Sequence, residues 1–142
     1  MKLICPYCTS INNVPKKEEY KKVNCGKCKK SLLESKAINI KSEFIDKILS
    51  NSDIPVILDF WAPWCQPCQK MKPVFEEVAR DFALKALFGK VNAQDEQFLG
   101  TRFKIKSIPT LVVFKNGKEV KRISGAMDDE QLTSFVNQFI NK

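Results

Sequence analysis

The stretch from Val56 to Ala79, VILDFWAPWCQPCQKMKPVFEEVA, decides the fold. It begins in a nearly continuous apolar run from Pro55 to Ala62, rich in β-branched and aromatic residues. Such a run is typical of a strand that is buried on both faces. The following residues, Cys65 to Phe82, repeat apolar side chains at helical spacing and predict an amphipathic helix. A buried strand followed closely by an amphipathic helix is typical of a sheet that is covered by helices.

Strand and helix signals alternate on both sides of this stretch. Before it, Ala37 to Ile40 predicts a strand, and Ser42 is the expected N-cap of the next helix. After it, we expect a strand at Leu87 to Ala93, a helix at Asp95 to Phe103, a hairpin of Leu111 to Phe114 and Glu119 to Ile123 around Asn116-Gly117, and a helix capped by Asp128. The order β-α-β-α-β-α-β-β-α predicts an α/β fold whose central mixed sheet is flanked by helices on both faces.

Length and composition limit the chemistry. The 142 residues allow one full domain with a small appendage. There is no histidine, which excludes Ser-His and Cys-His nucleophiles and imidazole metal ligands. The formal net charge is +8, and residues 1–36 carry nine lysines against three acidic residues, a net +6. Chemistry must therefore come from thiols, carboxylates, lysines or a bound cofactor.

The six cysteines form three Cys-x-x-Cys pairs: Cys5/Cys8, Cys25/Cys28 and Cys65/Cys68. No stretch resembles a secretory signal core or a membrane span, so we expect a cytoplasmic protein without membrane contact. Because thiols are kept reduced in that compartment, paired cysteines there are metal ligands or redox catalysts more often than structural disulfides.

The third pair lies where the central strand gives way to the helix. Free backbone N–H groups at a helix N-terminus favour a thiolate, so Cys65 is placed as a nucleophile. Cys68 returns to the same helix face one turn later and can attack a mixed disulfide formed by Cys65. This geometry predicts a dithiol–disulfide switch. Two alternatives are a pair of buried cysteines that pack as small hydrophobic side chains, and a zinc half-site that lacks partners.

The first two pairs have the spacing of a structural zinc site. Sixteen residues separate Cys8 from Cys25, within the range seen for four-cysteine sites. Four thiolates satisfy tetrahedral zinc, and metal binding supplies folding energy that so short a segment lacks. We therefore expect a zinc ribbon with one structural Zn²⁺ ion. The alternatives are two disulfides, or a glutaredoxin-like site at Cys5-Pro6-Tyr7-Cys8, which has no strand before it and no amphipathic helix after it.

Lysine runs at Lys16-Lys17, Lys21-Lys22 and Lys27 to Lys30 raise the question of nucleic-acid binding. Four thiolates around one zinc ion carry a formal charge of about −2, which reduces the charge of this segment to about +4. There is one tyrosine near these runs and no clear aromatic platform for bases. We expect the lysines to screen the thiolates or to bias the choice of protein partner, and we do not expect nucleic acid as a partner.

The chain resembles the thioredoxin family. The resemblance covers residues 37–142 and is carried by Val56 to Ala79, Lys90-Val91-Asn92, Ile108-Pro109-Thr110, Phe114 to Gly117 and Ser124-Gly125-Ala126. The four-cysteine extension resembles the bacterial thioredoxin 2 branch of that family. The implied organisation is a zinc ribbon at residues 1–34 and a thioredoxin domain at residues 35–142.

The resemblance assigns roles to four residues at the centre of the site. It implies that Cys65 is the exposed attacking thiol and Cys68 the buried resolving thiol. Asp59 matches the buried aspartate behind the disulfide, and a lone carboxylate in an apolar strand should have a raised pKa and move protons for Cys68. Lys90 matches the lysine near that aspartate. The alternatives are an Asp59 that is merely hydrogen-bonded at a strand end and a Lys90 that is solvated at a strand edge.

Other matched residues are implied to contact the substrate. Pro109 matches a cis-proline that faces the sulfurs, and the backbone before it, at Ile108, pairs with the substrate peptide. Trp64 is expected in an exposed apolar rim, and Gly125 in the same groove, where a side chain would block a close backbone approach. Gln66 and Pro67 lie between the two cysteines. Gln66 replaces the usual glycine and Gln69 replaces the usual basic residue; both positions tune thiolate stability.

The expected function is that of a thioredoxin that reduces protein disulfides. The resemblance implies recycling by an NADPH-dependent thioredoxin reductase and no bound organic cofactor. One alternative is a zinc-ribbon redox sensor or binding module on a thioredoxin scaffold. Another is an oxidase or isomerase whose potential is biased by Gln66.

Overall fold

The computed structural model of the chain describes residues 1–140. Strands and helices follow one another in the order β1 (Lys2–Ile4), β2 (Ile11–Asn13), β3 (Ile38–Asn39), α1 (Ile45–Ser50), β4 (Val56–Trp61), α2 (Gln66–Asp81), β5 (Leu87–Asn92), α3 (Gln97–Arg102), β6 (Thr110–Lys115), β7 (Lys118–Ser124) and α4 (Asp129–Asn137). From β3 onward this is the order predicted from the sequence.

The main sheet has five strands in the order β3-β5-β4-β6-β7. Strand β5 is parallel to both β3 and β4. Strand β6 runs antiparallel to β4 and forms the predicted hairpin with β7. The expectation of a mixed sheet with parallel strands before the hairpin is confirmed.

Strand β4 lies at the centre of the sheet, and its side chains alternate between two cores. Leu58 and Phe60 pack in a cluster with residues of α1 and α3, such as Ile45 and Leu99. On the opposite face, Ile57 packs with residues of α2 and α4. This is why the sequence of β4 is apolar at nearly every position. The predicted helices on both faces of the sheet are confirmed.

The predicted N-terminal ends are correct for two helices, α2 and α4, and wrong for a third, α1. Helix α2 has Cys65 as its N-cap, and α4 has Asp128 with a reciprocal capping box to Gln131. The expectation that Ser42 caps α1 is wrong, because that helix begins only at Ile45. A turn precedes it, and the backbone N–H of Ser42 donates instead to Glu96 at 2.8 Å.

The N-terminal segment docks on the end of the sheet where β4 begins. The backbone N–H of Lys2 donates to the Asp53 carboxylate at 2.6 Å, and the N–H of Asp53 donates to the Lys2 carbonyl at 2.8 Å. Leu3 and Ile4 are buried in the same cluster as Ile54, so the segment shares the core of the main sheet. Within residues 1–140, no helix combines the length and the apolarity needed to cross a membrane.

Candidate redox site and metal centre

A disulfide joins Cys65 and Cys68 across the first turn of α2, with their Cα atoms 5.2 Å apart. The backbone N–H of Cys68 donates to the Cys65 sulfur at 3.3 Å, so the first cysteine caps the helix. Cys68 is 2% exposed, as expected of a buried thiol, but the expectation that Cys65 is exposed is wrong for the closed disulfide, because that residue is only 6% exposed beside the Ile108 carbonyl. An incoming nucleophile therefore has more access to the Cys65 sulfur, at the positive end of the helix dipole.

The loop before β6 lies against the disulfide. The Ile108-Pro109 peptide bond is cis, and the carbonyl oxygen of Ile108 is 3.9 Å from the Cys65 sulfur. The N–H of Gly125 donates to the Pro109 carbonyl at 2.9 Å. Gly125 has φ of +106°, and a Cβ added there meets nothing within 4 Å. Within this chain, backbone conformation rather than crowding accounts for the glycine.

An exposed surface surrounds the disulfide. Trp64 is 71% exposed directly before Cys65. It borders an open groove of about 800 Å³ that is also lined by Ile105 and Ile108. Gln66 and Pro67 lie exposed in the first turn of α2. The remaining unusual residue, Gln69, donates its side-chain amide to the Pro63 carbonyl at 3.0 Å and thereby ties the helix to the loop before it.

Asp59 lies in β4 with only 2% of its surface exposed. It points to the same face of the sheet as Ile57, two residues earlier, which packs against α2. Its Oδ1 atom has no hydrogen-bond partner among residues 1–140. Burial raises the pKa of Asp59 to about 7, and the positive charge of Lys90 limits that rise. The carboxyl group is therefore able to take up and release a proton near neutral pH.

Lys90 is the neighbour of Asp59 in the register of β4 and β5. Its ammonium, however, forms an ion pair with the carboxylate of Glu76 on α2. The two side chains are 11% and 30% exposed. The sequence alone does not indicate Glu76 as a residue of the site. Glu76 follows Cys68 by eight residues on α2, and nothing in that spacing distinguishes it from the other charged residues of the helix.

The sulfur atoms of four cysteines, Cys5, Cys8, Cys25 and Cys28, all lie within 4.8 Å of one another. The Cys5 and Cys28 sulfurs are 3.7 Å apart, and the Cys8 and Cys25 sulfurs are 3.6 Å apart. Two thiolates on one tetrahedral zinc, each about 2.3 Å from the metal, are about 3.8 Å apart. The cluster is therefore compatible with a structural metal ion held by four sulfurs.

Each N-terminal pair sits in a loop of the same shape. The N–H of Thr9 donates to the Cys5 carbonyl at 2.9 Å, and the N–H of Lys29 donates to the Cys25 carbonyl at 3.0 Å. Thr9 and Lys29 both have positive φ, at 62° and 68°. Two matching loops that point their sulfurs at one another are the arrangement expected around a shared ligand.

Two polar side chains contact these sulfurs, and the sequence did not predict either contact. The Ser10 hydroxyl is 2.8 Å from the Cys8 sulfur and 3.2 Å from the Cys25 sulfur. The amide of Asn12 donates to the Cys25 sulfur at 3.4 Å. Burial works against ionisation of Cys25, but hydrogen bonds, led by that of Ser10, outweigh it and lower the pKa to about 5. Burial raises the pKa of Cys5 to about 12.

Comparisons with known proteins agree with the fold described above. The thioredoxin family model matches residues 34–138. A thioredoxin from Haemophilus influenzae is 43% identical over 106 residues, covering 75% of this chain and 99% of that protein. Thioredoxin C-3 from Corynebacterium nephridii is 36% identical over 138 residues, covering 97% of this chain and 94% of that protein. A solved structure of a thioredoxin from Malassezia sympodialis has a TM-score of 0.66 at 30% identity and covers 75% of this chain and 91% of that one. This chain belongs to the thioredoxin family.

Proposed function

We propose that the protein is a thiol–disulfide oxidoreductase that reduces protein disulfides through the reversible Cys65–Cys68 pair. One observation carries this proposal: the pair is closed as a disulfide at the N-terminus of α2, beside the exposed Trp64 and the carbonyl of Ile108. Both cysteines are largely buried, but the surface next to Cys65 is exposed at Trp64, and exchange needs access to only one of the two sulfurs.

The reaction runs through a mixed disulfide. The Cys65 thiolate attacks one sulfur of the substrate disulfide; a Cys65–substrate bond forms, and the other substrate sulfur leaves as a thiolate that takes up a proton. Cys68 then loses its proton and attacks the Cys65 sulfur. The Cys65–Cys68 bond forms, and the first substrate sulfur leaves and is protonated. Two electrons pass from the protein to the substrate, and we propose that an NADPH-dependent thioredoxin reductase returns them.

Asp59 is proposed to accept the proton of Cys68. Its raised pKa and its burial on the face of the sheet covered by α2 support that role. Lys90, beside it in β5, supports the ionised carboxylate. Because the chain has no histidine, it offers no imidazole to compete for this task.

Substrate peptides are proposed to lie along the groove beside the disulfide. The exposed residues Trp64, Gln66 and Pro67 would contact them on one side, and the backbone around Ile108 and Pro109 on the other, with Gly125 leaving room for the peptide. We place this activity in the cytoplasm, because four free thiols gathered within 4.8 Å persist best in a reducing compartment.

Replacing Cys68 with Ser is expected to trap substrates. The Cys68→Ser variant keeps the attacking thiol but cannot resolve the mixed disulfide, so a disulfide-bonded protein such as insulin should remain attached to Cys65. Mass spectrometry of the non-reduced product measures the adduct, which dithiothreitol should release. The double variant Cys65→Ser/Cys68→Ser is the control, and an equal adduct yield there would contradict the assignment of Cys65.

We further propose that Cys5, Cys8, Cys25 and Cys28 hold one structural Zn²⁺ ion, with residues 1–34 as a zinc ribbon and residues 35–142 as the thioredoxin domain. The sulfur separations and the paired loops support this proposal. It would place the protein in the thioredoxin 2 branch of the family. Bound zinc would favour the thiolate at all four sulfurs and cross-link the two loops.

Removing one metal ligand should destabilise more than the ribbon. We expect the Cys25→Ser variant to lose its zinc and to unfold at a lower temperature, because Cys25 and Leu32 are buried in the same cluster as the residues of β4. Elemental analysis measures the metal, and calorimetry of the full chain measures the melting temperature. Lys27→Ala, an exposed change in the same loop, is the matched control. Purified wild-type protein without zinc would contradict the proposal.

A further inference from the structure

A chain of three charged or titratable side chains leads from the helix of the disulfide to the buried aspartate. Glu76 lies on α2, Lys90 on β5 and Asp59 on β4. Lys90 is next to Asp59 in the strand register, but its ion pair is with Glu76. Within residues 1–140, no ion pair joins Lys90 to Asp59, and Asp59 Oδ1 has no hydrogen-bond partner.

The exposure of the two carboxyl groups explains why Lys90 pairs with Glu76 and not with Asp59. The Lys90 side chain is only 11% exposed, so its ammonium gains from a nearby negative charge. The Glu76 side chain is 30% exposed, so water also reaches its carboxylate, whereas Asp59 is almost fully buried. If Glu76 loses its charge, Asp59 becomes the carboxyl group beside Lys90 that can supply a negative charge. A lysine side chain has the rotatable bonds needed to turn toward it.

We propose that Glu76 is a positioning residue that holds the Lys90 ammonium away from Asp59 and so keeps that carboxyl group free to exchange a proton. This inference rests on the proposed function of the Cys65–Cys68 pair. With Glu76 in place, the proton that leaves Cys68 can pass to the Asp59 carboxylate. Without it, Lys90 pairs directly with Asp59, and the carboxylate becomes a weaker proton acceptor.

Among residues 1–140, no other carboxylate acts on the pKa of Asp59. In the strand register, its neighbour on β6 is Leu111, and the residues of α4 on this face, Leu132, Phe135 and Val136, are apolar. On helix α2, Glu76 is paired with Lys90, and the ammonium of Lys72 lies over the Trp61 ring at 6.0 Å. Of these charges, that of Lys90 is the one that acts on the pKa of Asp59.

The test is a titration of the Asp59 carboxyl carbon by NMR in the oxidised, full-length protein. In that state Cys65 and Cys68 do not titrate, and the chain has no histidine to interfere. In the Glu76→Gln variant, the midpoint should move to lower pH by about one pH unit or more, the size of shift that a close opposite charge produces. Glu77→Gln, the exposed neighbour on the same helix, should leave the midpoint unchanged.

A double variant distinguishes positioning from a direct field effect. Lys90→Met alone should raise the midpoint, because it removes the charge that limits the pKa of Asp59. Adding Glu76→Gln to Lys90→Met should then change nothing, since Glu76 acts through Lys90. The proposal is overturned if Glu76→Gln leaves the midpoint in place, or if it lowers the midpoint equally in both backgrounds. Glu76→Asp should restore part of the wild-type value.

The titration does not depend on catalysis, so the role of Glu76 and the proposed function are tested independently of each other. Loss of the predicted shift with normal insulin reduction would overturn the role of Glu76 alone. A correct shift in a protein that reduces no disulfide would overturn the proposed function and leave the electrostatic arrangement standing.

Discussion

Replacing Cys65 with Ser is expected to abolish reduction of protein disulfides. A serine hydroxyl remains protonated at the helix N-terminus, where a cysteine forms the reactive thiolate. Turnover in an insulin assay with NADPH and a thioredoxin reductase should fall by at least about a thousandfold, since loss of a nucleophile usually costs several orders of magnitude. The variant should stay folded, because the serine hydroxyl can also accept the N–H of Cys68 at the helix cap.

The matched control is an N-terminal cysteine. Cys8→Ser removes a sulfur of the four-cysteine cluster and leaves the Cys65–Cys68 pair intact, so it should lose metal while retaining measurable turnover on the folded fraction. Wild-type turnover by Cys65→Ser, or complete loss in folded Cys8→Ser, would show that the two groups of cysteines have been assigned wrongly.

Replacing Asp59 with Asn is expected to stabilise the oxidised protein at neutral and alkaline pH. The unfolded carboxyl group loses its proton near pH 3.8, whereas the folded one holds it until about pH 7. Between these values the native state binds more protons than the unfolded state, so the stability of the wild type falls as pH rises. Asn carries no charge to bury. The advantage of the variant should grow by about 1.4 kcal/mol per pH unit and reach about 4 kcal/mol above pH 7.

Denaturant unfolding at several pH values measures this difference. The gain of Asp59→Asn over the wild type should be near zero at pH 4 and largest at pH 8. Asp95→Asn, a change at an exposed aspartate, should show no such slope. A gain that is constant across the pH range would mean that the carboxyl group is not destabilised by ionisation in the folded protein.

The order of strands and helices from residue 37 onward was predictable because local pattern and tertiary structure agree there. Strand β4 is apolar on both faces, as only a central strand can be, and Cys65 stands directly before a clear helical period. Asp128 is followed three residues later by Gln131, and the two residues form a capping box. Ser42 is also of a residue type favoured at helix N-caps, but it has no such partner three residues later, and its backbone N–H donates to Glu96 from within a turn.

Apart from the Ser10–Cys8 contact, the site contacts that the sequence does not indicate join residues far apart in the chain or on different elements. Glu76 meets Lys90 only because α2 packs over β5. Ser10 reaches the Cys25 sulfur across fifteen residues, and Lys2 reaches Asp53 across fifty-one. Spacing along one helix or strand gives no information about such pairs, since they depend on how whole elements are packed together.

The N-terminal segment docks at the end of the sheet opposite the disulfide. Lys2 is bonded to Asp53, just before β4, whereas Cys65 follows the end of that strand. Six strand residues span about 20 Å. A protein bound over the disulfide would therefore leave the N-terminal segment, which docks about one strand length away, uncovered.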